Sequence, residues 1–144
     1  MTVDQHAARE TIQAENAELR TSFREWLGSR GISRRTIDRH DANIRVYTDD
    51  YLLYDDAIEV AQGASAAALR TFFDDWFLRK GPWSSPTSIR NMAASLRKFY
   101  AFMQEAGQIS PRALRELNAT IQTGLPGWQD ALLRYCGEDG PWDL

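Results

Sequence analysis

Two histidines, His6 and His40, and a lone Cys136 are the chain's scant stock of nucleophiles and soft metal ligands. Neither histidine stands beside a Ser or Cys nucleophile signature or in a Gly-rich turn. His40 next to Asp41 and Asn43 invites an acid-base or metal reading, but no third ligand follows at a fitting spacing, so a solvated helical histidine is expected. The acidic run Asp49, Asp50, Asp55, Asp56 and Glu59 lacks the alternating ligand order and the sharp-turn Gly of a calcium loop, and reads as a solvated loop. Cys136 alone supplies neither a disulfide framework nor a zinc set and reads as a packing residue. No Gly-rich phosphate cradle is present. The expectation is a protein without catalytic residues, cofactor or metal.

The cations are more informative. Net charge is −3, which argues against nucleic acid until the charge is located. Residues 20–45 hold seven arginines against three acids, and residues 76–104 hold Arg79, Lys80, Arg90, Arg97 and Lys98 with no acid at all. The acids collect in residues 1–19, 46–75 and 105–144, so basic and acidic stretches alternate along the chain. Arg35, Arg39 and Asn43 recur every four residues, on a stripe away from Ile37 and Ile44. Arg34 with Asp38 and Asp41 with Arg45 are one turn apart and are expected to pair on the surface. Further on, Arg90 and Arg97 share a side, Lys98 flanks them, and Ser84, Ser85, Thr87 and Ser88 crowd a helix start. Free N–H groups and hydroxyls there suit phosphate oxygens, and Arg on the following turns suits phosphates or guanine edges. The plainer reading keeps Ser85 as a cap and the arginines as solubilising charge.

The elements that position these groups come from a repeat. Phe23-x-x-Trp26-Leu27-x-x-Arg30-Gly31 and Phe73-x-x-Trp76-Phe77-x-x-Lys80-Gly81 share one skeleton at an offset of 50 residues. Each is followed by a Ser cap and an Ile-led helical pattern, which predicts a duplicated helix-turn-helix unit with its aromatics in the core. Leu19, Phe23, Trp26 and Leu27 define a first helix ending at Gly31. Ser33 caps a second that buries Ile37, Ile44, Tyr47 and Tyr51 and runs to about Tyr54. Asp55–Gly63 reads as an acidic loop or short turn. Ser65 caps a third helix with a wide stripe of Leu69, Phe72, Phe73, Trp76 and Phe77, stopped by Gly81-Pro82. Trp83 lies in the turn that follows, either stapling the next helix or exposed as a contact residue.

Ser85-Pro86 opens a fourth helix, with Ile89, Met92, Ala93, Leu96, Phe99, Tyr100 and Met103 inside. Ser110-Pro111 opens a fifth, which Gly124-Leu125-Pro126 is expected to break ahead of a short last helix with Trp128, Leu132, Leu133 and Tyr135. Residues 1–18 fit a frayed tail or a helical extension. The expected organisation is a polar extension over 1–18, a single helical domain over 19–136 and a tail over 137–144. With no strand alternation, the fold class is all-α, a compact bundle of about five to six helices built on two helical hairpins. No apolar run approaches a membrane span and the N-terminus has no signal core, so a cytoplasmic protein with no membrane contact is expected.

Phe23-x-x-Trp26-Leu27, Gly31-Ile32-Ser33-x-x-Thr36-Ile37, Ser85-x-x-Ser88-Ile89, Leu96-Arg97-Lys98-Phe99-Tyr100-Ala101-Phe102-Met103 and Gly107-Gln108-Ile109 occur in this order. Together, over roughly residues 20–110, they resemble the core-binding domain of tyrosine recombinases (phage integrases). The resemblance implies a SAM-like bundle of about four helices in two crossed hairpins that closes half of a clamp on duplex DNA. Carried over by position, it implies DNA contact by Ser33, Arg34, Arg35, Arg39, Ser85, Thr87, Ser88, Arg90, Arg97 and Lys98. Family enzymes add a catalytic domain with an Arg, a Lys, a His-x-x-Arg and a Tyr nucleophile. The 34 residues after 110 are too few for one, and His6-Ala7-Ala8-Arg9 stands at the wrong end. The expectation is a non-catalytic DNA-binding module with duplex DNA as partner. The alternative is a helical protein-protein interaction domain of the same fold, with a protein partner or self-association through a patch near Trp83 or Trp128.

Overall fold

In the computed structural model, helix α1 (Val3–Ser29) runs unbroken through the polar N-terminal stretch. The structure describes residues 3–54, 56–80 and 85–139, with side chains except those of Val3, Lys80 and residues 135–139. The buried stripe of α1 extends back past Leu19, because Asn16 and Ile12 fall three and seven positions earlier and are both buried. Of the two readings left open for residues 1–18, the helical one is observed over the described part. Gly31 ends the helix in a left-handed conformation (φ 79°) that a side chain would strain. There the Ile32 N–H donates back to the Leu27 carbonyl at 3.2 Å.

Ser33 then caps α2 (Arg34–Arg45), its hydroxyl accepting from the Thr36 N–H at 3.3 Å. Helix α2 continues into a π-helical turn, Val46–Tyr51, closed by the Leu52 N–H donating to the Tyr47 carbonyl at 3.0 Å. The acidic stretch holds a short 3-10 turn, Val60–Ala64, pinned by two buried tyrosines. Tyr47 donates to the Gly63 carbonyl at 2.6 Å and Tyr100 to the Val60 carbonyl at 2.7 Å. Asp49 and Asp50 belong to the π turn rather than to a loop.

Ser65 caps α3 (Ala66–Thr71), which passes through a second π turn, Phe72–Trp76, into α4 (Phe77–Lys80). The wide stripe seen in the sequence has its cause here. A π turn holds one more residue than an α turn, so Phe72, Phe73 and Phe77 all point inward and are buried. The expected stop at Gly81-Pro82, Trp83 and Ser84 lie outside the described residues.

Helix α5 (Pro86–Glu105) begins where Ser85-Pro86 places it. Its nine buried side chains include all seven of the stripe expected from the sequence. The helix packs on α2, α1 and α6 and forms the centre of the bundle. Gly107 (φ 74°) ends the helix region, and Ser110 accepts from the Ala113 N–H at 3.0 Å to start α6 (Pro111–Asp139).

One expectation fails in α6. Gly124-Leu125-Pro126 does not break it, and a single helix replaces the expected fifth and last helices. Pro126 lacks only the N–H that the Gln122 carbonyl would accept, and it sits exposed on the outer face. Gly124 serves packing, since a Cβ there would come within 2.3 Å of the Trp128 ring. Trp128 in turn stacks on Phe73 with centroids 4.3 Å apart. No strand occurs among the described residues, and the chain is an all-α bundle. No helix there is long and apolar enough to cross a membrane.

Candidate nucleic-acid interface

The two basic helices lie side by side, and their seam is built around one oxygen. Ser95 of α5 directs its hydroxyl proton to the Asn91 carbonyl at 3.0 Å. Its oxygen is then left to accept from His40 Nδ1 at 2.7 Å and from Asn43 Nδ2 at 3.0 Å, both on α2. This assigns the Nδ1–H tautomer to His40. His40 is 2% exposed, so it is not the solvated histidine expected from the sequence. Its pKa is lowered from the ordinary value, first by burial and then by the charges of Arg39 and Lys98. By helical position Arg39 lies about 40° round α2 from Asn43 and Lys98 about 60° round α5 from Ser95, so both flank this seam.

At 100° per residue, Arg35 lies about 40° from Arg39, on the solvent face of α2 between the α5-facing Asn43 and the α1-facing Asp38. Arg90 and Arg97 lie within about 20° of each other on the exposed ridge of α5, with Lys98 about 100° round toward α2. Ala94 and Ala101 separate the cations along that ridge. Arg35, Arg39, Thr87, Arg90, Arg97 and Lys98 are all exposed. None of these cations makes an ion pair among the described residues, and α5 carries no carboxylate before Glu105.

The other expected site residues are placed differently. Arg34 is exposed but about 140° round α2 from Arg39, on the flank toward α1. The hydroxyls of Ser33, Ser85 and Ser88 are occupied in caps. Ser85 accepts from the Ser88 N–H at 3.1 Å, and Ser88 accepts from the Ser85 N–H at 2.6 Å. Ser84 lies outside the described residues, as do the side chains of Tyr135 and Cys136.

The expected pairs within α2 do not form. Asp38 and Asp41 turn to α1 instead, where Arg24 reaches both, at 2.6 and 3.2 Å, and Arg20 reaches Asp41 at 3.4 Å. The acids of the π turn also face away from the seam. Asp49 accepts from Asn16 of α1 at 2.8 Å. Asp50 has a raised pKa, through burial first and then the Asp49 charge, with Arg45 and Arg9 opposing. Carboxylates and seam cations are thus segregated to different sides of α2.

His40 and Ser95 were missed as seam residues by sequence reasoning, and no local signal marks a pair 55 positions apart. Only the small polar Ser95 inside the apolar stripe of α5 was visible as an irregularity. Among the described residues no group of three or more His, Cys, Asp or Glu side chains has the disposition to hold a metal ion. Comparison with known proteins found no matching family model, no matching curated protein and no matching solved structure.

Proposed function

We propose that the chain is a non-catalytic DNA-binding module, similar to the core-binding domain of tyrosine recombinases, that grips duplex DNA through α2 and α5. The observation that carries this reading is the ridge of α5 with the adjoining edge of α2. Five exposed cations, Arg35, Arg39, Arg90, Arg97 and Lys98, stand there without ion-pair partners among the described residues and without an intervening carboxylate. Cations that only solubilise a surface are commonly interspersed with acids, as on the α1 side of α2. A run of one sign on adjoining helices suits a polyanion.

Phosphate neutralisation supplies most of the affinity, so binding depends steeply on salt. Five contacts at ~0.9 each give a slope of log affinity against log salt of about −4 to −5. Titration of a labelled duplex between 50 and 200 mM salt, followed by fluorescence anisotropy, is the test. A slope near zero, or no binding to any duplex at the lowest salt, rejects the reading and leaves the protein-interaction alternative.

A further inference from the structure

The ridge of α5 has a second flank. It borders a groove of about 600 Å³ that runs from α1 to α6 and is lined by Trp26, Arg97, Lys98, Ala101, Asn118 and Gln122. Half-buried Ala101 is its smallest lining side chain, and Asn118 and Gln122 of α6 form one wall. These two amides are one helical turn apart and exposed, and neither bonds to another described residue. No carboxylate of the described residues lines the groove. Glu105, the nearest acid along α5, is taken up by Arg30 at 3.0 Å and by the Trp26 indole N–H. Arg30 also lies over the Trp26 ring, 4.0 Å from its centroid, so that wall is held in place.

A methyl floor lets a bulky chain approach the helix closely. Cations on the α5 side and neutral donors on the α6 side then suit a ligand that is anionic and rich in acceptors along a line. A small anion would use only one end of such a groove. A phosphodiester strand fits its sign and its mixed donors. We infer that this groove seats one backbone strand of duplex DNA, with Asn118 and Gln122 donating to its phosphate or sugar oxygens while Arg97 and Lys98 neutralise it. This rests on the duplex-binding reading above and adds α6, which neither the sequence pattern nor the resemblance singled out for DNA contact.

The inference makes a distinction that charge alone does not. Neutral amides displace no counterions, whereas each cation removed flattens the salt dependence by ~0.9. Asn118→Ala/Gln122→Ala, read on the same duplex titration, is expected to lose about tenfold in affinity with the salt slope unchanged. Arg97→Ala is expected to lose affinity and flatten the slope. Ala101→Glu, which puts a carboxylate on the floor, is expected to abolish binding. All four positions lie outside the core, and an unchanged thermal melt serves as the control for folding. If wild type binds duplex and the double amide variant binds equally well, or Ala101→Glu has no effect, the groove is not part of the interface and the inference falls alone. If wild type binds no duplex, the parent reading falls with it.

Discussion

The two copies of the Phe-x-x-Trp unit begin from nearly the same residues and end in different surroundings. In the first, Phe23 is fully buried in a regular helix that pairs with the following α2. Trp26 is half-buried, bonded to Glu105 and covered by Arg30. In the second, the unit lies in a π turn. Phe73 stacks on Trp128 of α6, and the buried Trp76 indole N–H has no partner among the described residues. The first copy sits in a web of ion pairs, with Arg20 and Arg24 holding Asp38 and Asp41. The second launches α5, which has no acid until its last residue. Duplicated sequence thus leads to a helix with acids along one flank in one half and to a helix with no acid before its last residue in the other. The lesson is that the repeat fixes where the helices start, while the neighbours decide what each one presents.

The comparison breaks most severely at Gly124. In an ordinary helix interior, Gly→Ala stabilises by roughly 1 kcal/mol. Here the added methyl collides with the Trp128 ring, so Gly124→Ala is expected to destabilise, and Trp128→Ala to cost about 3–5 kcal/mol. Denaturant melts of both variants give the sign. A stabilised Gly124→Ala would mean that the second copy is not anchored through Trp128.

Next in size, Arg35→Ala/Arg39→Ala and Arg90→Ala/Arg97→Ala test whether the two helices form one duplex-binding face. Each pair is expected to flatten the salt slope by about 1.8, at ~0.9 per phosphate. An effect confined to one pair would show that only one helix meets DNA.

The pH dependence of the seam is smaller. The folded-state pKa of His40 lies below its unfolded value near 6.5. Below that pH the unfolded chain takes up a proton that the folded chain resists. Its stability contribution is therefore complete above about pH 6.5 and is lost as pH falls toward the folded value. Thermal midpoints should decline from pH 7.5 to 5.5, and His40→Gln should flatten that decline. An identical pH profile in the variant would place the titration elsewhere.

The smallest effect is expected at the ion-pair web of the first copy. Asp38→Asn should change stability by less than about 1 kcal/mol, because Asp38 is exposed, and Asp41→Asn by somewhat more, because Asp41 and its partner Arg20 are partly buried. Both should strengthen duplex binding slightly by freeing Arg20 and Arg24. Weaker binding in either variant would contradict the segregation of charge across α2.

Much of this architecture could be read in the sequence wherever a local rule governs it. Ser33, Ser65, Ser85 and Ser110 each cap the helix expected of them, because a cap is a contact between residues three apart. The stripe of α5 is buried as its period predicts. The continuity of α6 was not legible, since Gly124 and Pro126 are breakers by local propensity and only the Trp128 ring, known from the fold, explains the glycine. The π turns were equally hidden, surfacing only as a stripe too wide for an α-helix. At the candidate interface, the exposed arginines followed from periodicity. The fate of Asp38 and Asp41 did not, because equally spaced partners on α2 lost to arginines on another helix.

The oxygen of Ser95 has a mechanical consequence. It makes three bonds at once, to Asn91, His40 and Asn43, and this leaves little capacity for water to enter the joint. Two helices fastened at such a saturated point resist sliding past one another. The distance between the backbone positions that carry the cations is therefore set before any ligand arrives, as in a caliper locked at one opening. A partner whose charges match that opening meets helices already in place, and only the long side chains have still to settle. One with a different spacing finds little give in the joint.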